Sequence, residues 1–206
     1  MPFKQPLRGI SRMSDRVGGG GGLYPKVVHH TSGTDVNATA NLGGDVQAGD
    51  LILLFALSSS TSVPAVPTGY TDLGTAGVEA GIVRACYKIA DGTETSTVSS
   101  ANTYRAAVVL IRDHGGVGQV ATHVQASNSL TPTVPTISNV LEGSRIFIGT
   151  NSNFEEGVRG TAAALNKKIA FSLDIDAGES FGGTSHFRTM LVPSRQNFFA
   201  VEVLAA

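Results

Sequence analysis

The apolar stretches of this chain are all of strand length, and that limits it more than any other feature. "GDLILLFALSSS" (49–60) is bounded by Gly-Asp on one side and serines on the other. Its unbroken apolar part, Leu51–Leu57, is the longest in the chain and far too short to cross a bilayer. An apolar run of this length between turn signals reads as a core strand. "TDLGTA" (71–76) and "GIVRACYKIA" (81–90) read as the next pair. In the second of these, Ile82, Arg84, Cys86 and Lys88 alternate with Val83, Ala85, Tyr87 and Ile89. "DGTETS" (91–96) supplies an Asp-Gly turn. The further strand-like segments are "STVSSA" (96–101), "YRAAVVLIRD" (104–113), "GQVATHVQA" (118–126), "LTPTVPTIS" (130–138), "SRIFIGTNSN" (144–153), "KKIAFSLDI" (167–175), "GTSHFRTMLVP" (183–193) and "NFFAVEVLA" (197–205).

That makes about eleven short strands, with turn signals spaced as in a sandwich or barrel. "TAAALNKK" (161–168) is the one good helical stretch, two turns long and too isolated for an α/β protein. Pro132 and Pro135 demote "LTPTVPT" to an edge strand. There are no 20–50-residue repeats and no heptads, so an extended fibre shaft is not indicated. The expected core includes Leu53, Phe55, Val109, Ile111, Phe147 and Phe199. A chain of this size buries roughly 70% of its unfolded surface, so it needs no disulfide staples. Its single cysteine, Cys86, lies in an apolar run and reads as a buried, inert thiol.

The chain divides near residue 24. Of its 15 basic and 16 acidic residues, four bases and one acid precede residue 25, which leaves 11 and 15 for the body. A basic arm, residues 1–24, therefore precedes a mildly acidic domain, residues 25–206. In the arm Phe3, Leu7, Ile10, Met13 and Val17 recur at steps of three and four, as do Lys4, Arg8, Arg12 and Arg16. Pro2, Pro6 and Gly9 oppose a helix before residue 10. A short amphipathic turn over 10–17 and extended docking of Phe3, Leu7 and Ile10 into a partner are both compatible with this pattern, as is a disordered tail. Gly18, Gly19, Gly20, Gly21 and Gly22 then form an unbroken glycine run. Fixing a backbone residue costs roughly 1–2 kcal/mol, and glycine has no side chain to offset it. An ordered arm must therefore be held by a neighbour, with the glycines threading a narrow passage and the cations facing acidic groups.

Little in the sequence points to catalysis. It has no nucleophile elbow, phosphate loop or zinc spacing, and no convincing acid pair, so no cofactor or metal is expected and an enzyme is not the favoured reading. The glycine run follows a basic arm and leads into Pro25 and a strand, unlike a phosphate cradle. His29 and His30, adjacent on a strand, point to opposite faces and read as edge residues. "DID" (174–176) offers only part of a calcium site, even with Glu155, Glu156 or Glu179 brought in by folding. "NAT" (37–39) matches a glycosylation acceptor, but no secretory signal accompanies it. Tyr24, Tyr70 and Tyr104 are the only aromatic candidates for a sugar platform, and a packing role suits each better. The balanced charge argues against nucleic acid as a partner, and no segment suggests membrane insertion.

Residues 49–113 carry a recognisable succession: "GDLILLFAL", "VPTGYTDLGTA", "VRACYKIADGTE", "TVSS" and "AAVVLIRD". It resembles a β-sandwich module of tailed-bacteriophage virion proteins, with Pro67, Gly69, Tyr70, Thr71, Tyr87, Lys88 and Ala90 at the matching positions. Tyr70 stands where that family usually has Trp. The resemblance covers about a third of the chain and brings no catalytic residues. It implies an all-β protein: a single antiparallel, jelly-roll-like sandwich preceded by an extended arm. It also implies a virion structural protein made in the host cytoplasm. Such a protein would be a tail or baseplate accessory or short fibre, or else a capsid decoration protein. The expected partners are other virion proteins, reached through residues 1–24, and further copies of the same chain. A host-surface glycan is a third, separate candidate.

Overall fold

The computed structural model describes residues 24–34, 39–58, 60–77, 81–95, 97–127, 133–150, 170–174, 181–183 and 197–206. These form thirteen strands and no helix. They are β1 (Lys26–Thr34), β2 (Thr39–Asn41), β3 (Leu51–Leu57), β4 (Thr71–Ala76), β5 (Val83–Ile89), β6 (Thr97–Ser99), β7 (Arg105–Arg112), β8 (His114–Val124), β9 (Val134–Ile137), β10 (Arg145–Thr150), β11 (Ala170–Asp174), β12 (Phe181–Gly183) and β13 (Asn197–Ala205). The chain is all-β and its paired strands run antiparallel.

Two sheets face each other, in the orders β1-β7-β3-β5-β4 and β11-β10-β13-β8. Period-2 alternation explains which residues meet between them. Leu51, Leu53, Phe55 and Leu57 of β3 point inward with Val83 and Ala85 of β5 and Ala107, Val109 and Ile111 of β7. Phe147 of β10 and Phe199, Val201 and Val203 of β13 close the layer from the other side. All six residues expected in the core are at most 5% exposed.

β3 is apolar without interruption because its second face is also covered. Ile52 and Leu54 pack with Cys86, Val108 and Leu110 beneath Ala40, Leu42 and Val98, which come from the small β2-β6 sheet and its flank. The outer face of β13 and β10 is likewise capped: Phe198, Ala200, Ile146 and Ile148 lie under Val134, Ile137 and Val140. β9, the proline-bearing strand, pairs only with β12 among the described residues, consistent with its expected edge character.

The segments differ in detail from the sequence reading. β8 begins at His114, four residues earlier than expected, because Asp113 (φ 57) turns the chain from β7 into the other sheet without a loop. β2 was not expected. Its three residues carry one buried side chain, Ala40, too short a pattern to register as a strand. Of "GTSHFRTMLVP" only Gly183 is described, at the end of β12, and the helical stretch 161–168 lies outside the described residues.

The sheets approach closely where one side chain is missing. A Cβ on Gly149 would fall within 2.7 Å of Phe55 Cγ. Glu202, on the capped face of β13, is 1% exposed and accepts hydrogen bonds from the backbone N–H groups of Gln119 (3.1 Å) and Leu141 (3.0 Å). This ties β8 to the loop before β10 and satisfies a carboxylate that would be costly to bury unpaired.

Candidate functional site

The root of the N-terminal arm is the part of the predicted partner-binding region that the structure describes. Phe3, Lys4, Leu7, Arg8, Ile10, Arg12, Arg16 and Gly18–Gly22 lie outside the described residues. Tyr24 and Pro25 lie inside them and show where the arm leaves the body. Tyr24 is 62% exposed, but one edge of its ring covers Gly143, where a Cβ would stand 2.8 Å from Tyr24 Cε1. Gly143 has φ +78, so glycine is demanded there by backbone and by contact alike. Arg145 Nη1 donates to the Pro25 carbonyl at 3.2 Å. Two bodyward contacts thus hold the last residues before β1.

Lys26, the first residue of β1, stands opposite Arg112 at the end of β7. Arg112 is the hub of this corner. Its Nε and Nη2 donate to Asp50 Oδ1 and Oδ2, each at 2.8 Å, and Nη2 also donates to the Asp45 carbonyl at 3.0 Å. Asp50 is 2% exposed and accepts a third bond from the Gln47 backbone N–H at 2.8 Å. Burial pushes the Asp50 carboxyl upward, but Arg112 and the Gln47 N–H outweigh it, so its pKa sits below the usual value. Next to it His114 Nε2 donates to the Gly49 carbonyl at 2.9 Å, while its Nδ1 accepts from the Gly116 N–H at 3.0 Å.

The five pieces of the 49–113 succession contact one another. Gly49 N–H donates to the Ala90 carbonyl and Ala90 N–H to the Asp50 carbonyl, both at 2.8 Å. "VPTGY" is a turn closed by Tyr70 N–H donating to the Pro67 carbonyl at 3.1 Å, with Gly69 at φ +83. Tyr70 is half-buried against the Cys86 cluster, and burial raises its hydroxyl pKa. It is a packing residue. Lys88 reaches Glu94 at 2.8 Å and Asp91 at 3.4 Å, which folds the "DGTE" turn onto β5. The pairing of Asp50 with Arg112 is what the sequence reading missed. The signal was present, because the succession opens with Gly-Asp and closes with Arg-Asp.

The remaining candidates fall as follows. His29 Nε2 pairs with the Asn41 carbonyl at 3.1 Å, whereas His30 is exposed, so the two do not share an ion. Both sit on β1, an outer strand of its sheet. Tyr104 is 44% exposed, with the Arg105 guanidinium 5.3 Å from its ring centre. The "DID", Glu155, Glu156 and Glu179 side chains and Asn37 lie outside what is described. Among the described residues no group of three or more His, Cys, Asp or Glu could hold a metal ion.

Cys86 is fully buried and unpaired by disulfide, and its thiol is pushed up to about 12, chiefly by burial and further by the nearby Asp72 carboxylate. The thiolate is the reactive form, so native protein at pH 8 is expected to resist alkylation by iodoacetamide, with one equivalent reacting once denaturant is added. Mass spectrometry before and after denaturation checks this. Native labelling at a free-thiol rate would place Cys86 at the surface.

The chain enters the body here through a Tyr24 ring edge set on Gly143, a bonded Pro25 carbonyl, and a β1 start opposite Arg112 of the Asp50–Arg112 pair. No family model matches the chain, and neither a curated protein nor a solved structure matches it.

Proposed function

We propose that the chain is a structural protein of a tailed-phage virion, attached to the particle through residues 1–24 while its sandwich is displayed outward. The placement favoured is a tail or baseplate accessory or short fibre; capsid decoration is the alternative placement. One observation carries the reading. Four of the five pieces of the 49–113 resemblance lie side by side as β4-β5-β3-β7, the fifth packs over them through Val98 of β6, and the two ends of the succession are joined by Asp50 and Arg112 beside the arm's exit. A rigid corner at the exit suits a module tethered by an arm, because tension on the arm meets paired strands rather than a loop. The arm's excess of cations over its one acid suits an acidic docking groove, although each exposed ion pair contributes only about 0–1 kcal/mol. Apolar anchoring by Phe3, Leu7 and Ile10 supplies the rest.

Deleting residues 1–22 is expected to leave a soluble body with an unchanged sheet spectrum, because the described strands and their three apolar clusters pack on one another. The truncated protein is expected to be missing from purified particles, as read by quantitative mass spectrometry. Incorporation at the normal level would show that the body's own surface is the anchor. The same measurement on intact particles separates the placements. A copy number matching the tail's rotational symmetry fits a tail accessory, and one matching the capsid lattice fits decoration.

A further inference from the structure

We infer that Asp91-Gly92 is an aspartate isomerisation site that the fold holds shut, with Glu94 as the residue that closes it. The turn between β5 and β6 carries this on its own, whatever the arm binds.

The turn demands the susceptible dipeptide. Gly92 has φ +85, a conformation that any side chain would strain, and it packs on Ala48, whose backbone N would stand 3.4 Å from a Cβ there. A glycine after an aspartate leaves the peptide nitrogen between them unshielded. The chemistry then needs only water. The Gly92 nitrogen attacks Asp91 Cγ and a C–N bond forms. The carboxyl OH leaves with the amide hydrogen as water. The resulting succinimide takes water back at either carbonyl. One opening restores aspartate. The other leaves isoaspartate, with the main chain running through the former side chain. The Asp91 side chain is 60% exposed, so solvent reaches the reacting carbon.

Both reacting groups are occupied in the native turn. The Gly92 N–H donates to Glu94 Oε2 and the Asp91 N–H to Glu94 Oε1, each at 2.9 Å. A carboxylate against the Gly92 N–H opposes its deprotonation, which would bring two negative charges into contact. The Asp91 carboxyl is engaged as well. Its Oδ1 accepts from the Thr93 N–H at 2.8 Å and from the Thr93 hydroxyl, and its Oδ2 faces Lys88 Nζ at 3.4 Å. The Thr93 bonds foremost, and Lys88 with them, hold the Asp91 pKa below its usual value. That depletes the acid form, which alone loses its hydroxyl readily. Glu94 is itself fixed in place. Its side chain is 5% exposed, and Lys88 Nζ lies 2.8 Å from Oε1.

The test follows tryptic peptide 89–105 from the full chain. The protein is held for weeks at about pH 5, where an ordinary aspartate still has some acid form. Isoaspartate is read by chromatographic separation and by fragmentation at residue 91, and succinimide by the loss of one water. Native wild type is expected to isomerise far more slowly than the same chain in urea. Glu94→Ala is expected to speed the native reaction about tenfold or more, the worth of a hydrogen bond to a charged acceptor. Glu94→Gln keeps the shape and an acceptor oxygen without the charge. It is expected to fall between the two, and it decides the matter should the alanine variant fail to fold. Glu142→Ala, which removes an exposed acid elsewhere, is expected to stay at the wild-type rate. Circular dichroism checks the sheet in each. A native wild-type rate equal to the rate in urea would overturn the inference. So would folded Glu94 variants no faster than wild type, or a Glu142→Ala rate as high as that of Glu94→Ala.

Discussion

Phe55→Ala is expected to cost the fold about 3–5 kcal/mol, the usual range for removing a fully buried aromatic side chain. For a domain of this size that corresponds to a fall in Tm of roughly 6–20 °C. Phe55 is completely buried at the centre of the layer between the sheets, with Val109, Phe147 and Phe199 in the same cluster. Its ring also lies over Gly149, where any Cβ would collide with ring carbons. Gly149→Ala alone is therefore expected to destabilise by overpacking, by about 1–3 kcal/mol. The pair should not add. With Phe55 already truncated, the Gly149 methyl enters the vacated space, so the double variant is expected to be more stable than the sum of the single losses implies. Urea denaturation of the four proteins measures the cycle. Strict additivity would mean that the two sheets do not meet at this point, and a loss below about 1 kcal/mol for Phe55→Ala would put β3 at the surface.

Arg112→Met is expected to lower stability, because Arg112 fastens both Asp50 carboxylate oxygens and the Asp45 carbonyl. The loss comes from Asp50, which is 2% exposed in the intact fold and would keep the Gln47 N–H as its remaining named donor. Replacing both partners, with Asp50→Leu added, should recover much of the stability, since an apolar pair carries no stranded charge. A double variant no better than Arg112→Met would show that the corner depends on the ion pair itself, through the Asp45 and Lys26 backbone it organises. The pair also predicts acid sensitivity. The folded pKa of Asp50 is depressed, so its stabilisation is complete above the ordinary carboxylate value near 4. It is lost as the pH falls through the lower folded value. Arg112→Met should flatten that part of the stability–pH curve, and an unchanged slope would assign the acid response to other carboxylates.

How much was legible in the sequence differs between the fold and the site. The class was legible because strand periodicity is local: each inward residue of β3, β5, β7, β10 and β13 is set by its neighbours two positions away. Turn chemistry is local too, which is why Asp91-Gly92 reads as a turn. Cys86 was legible as a buried thiol for the same reason, since Ala85 and Tyr87 flank it within a strand-length segment. None of this depended on knowing which strand lies beside which.

Strand order, sheet membership and the partners of charged groups depend on contacts between residues far apart in sequence, and no local pattern encodes them. Asp50 and Arg112 are 62 positions apart, and each stands at the end of its own apolar segment. Glu202 interrupts an apolar strand, and only the fold brings the Gln119 and Leu141 N–H groups to it. Only the opposing Phe55 explains why no side chain fits at Gly149. The sequence by itself determined that this chain forms short antiparallel strands around an apolar core, because alternation and turn residues act over two to four positions. Tertiary structure decided that β3 is buried on both faces, that the arm leaves beside the Asp50–Arg112 pair, and that Glu202 finds its donors on β8 and in the loop before β10. Those outcomes follow from how whole sheets cover one another, which only the assembled chain defines.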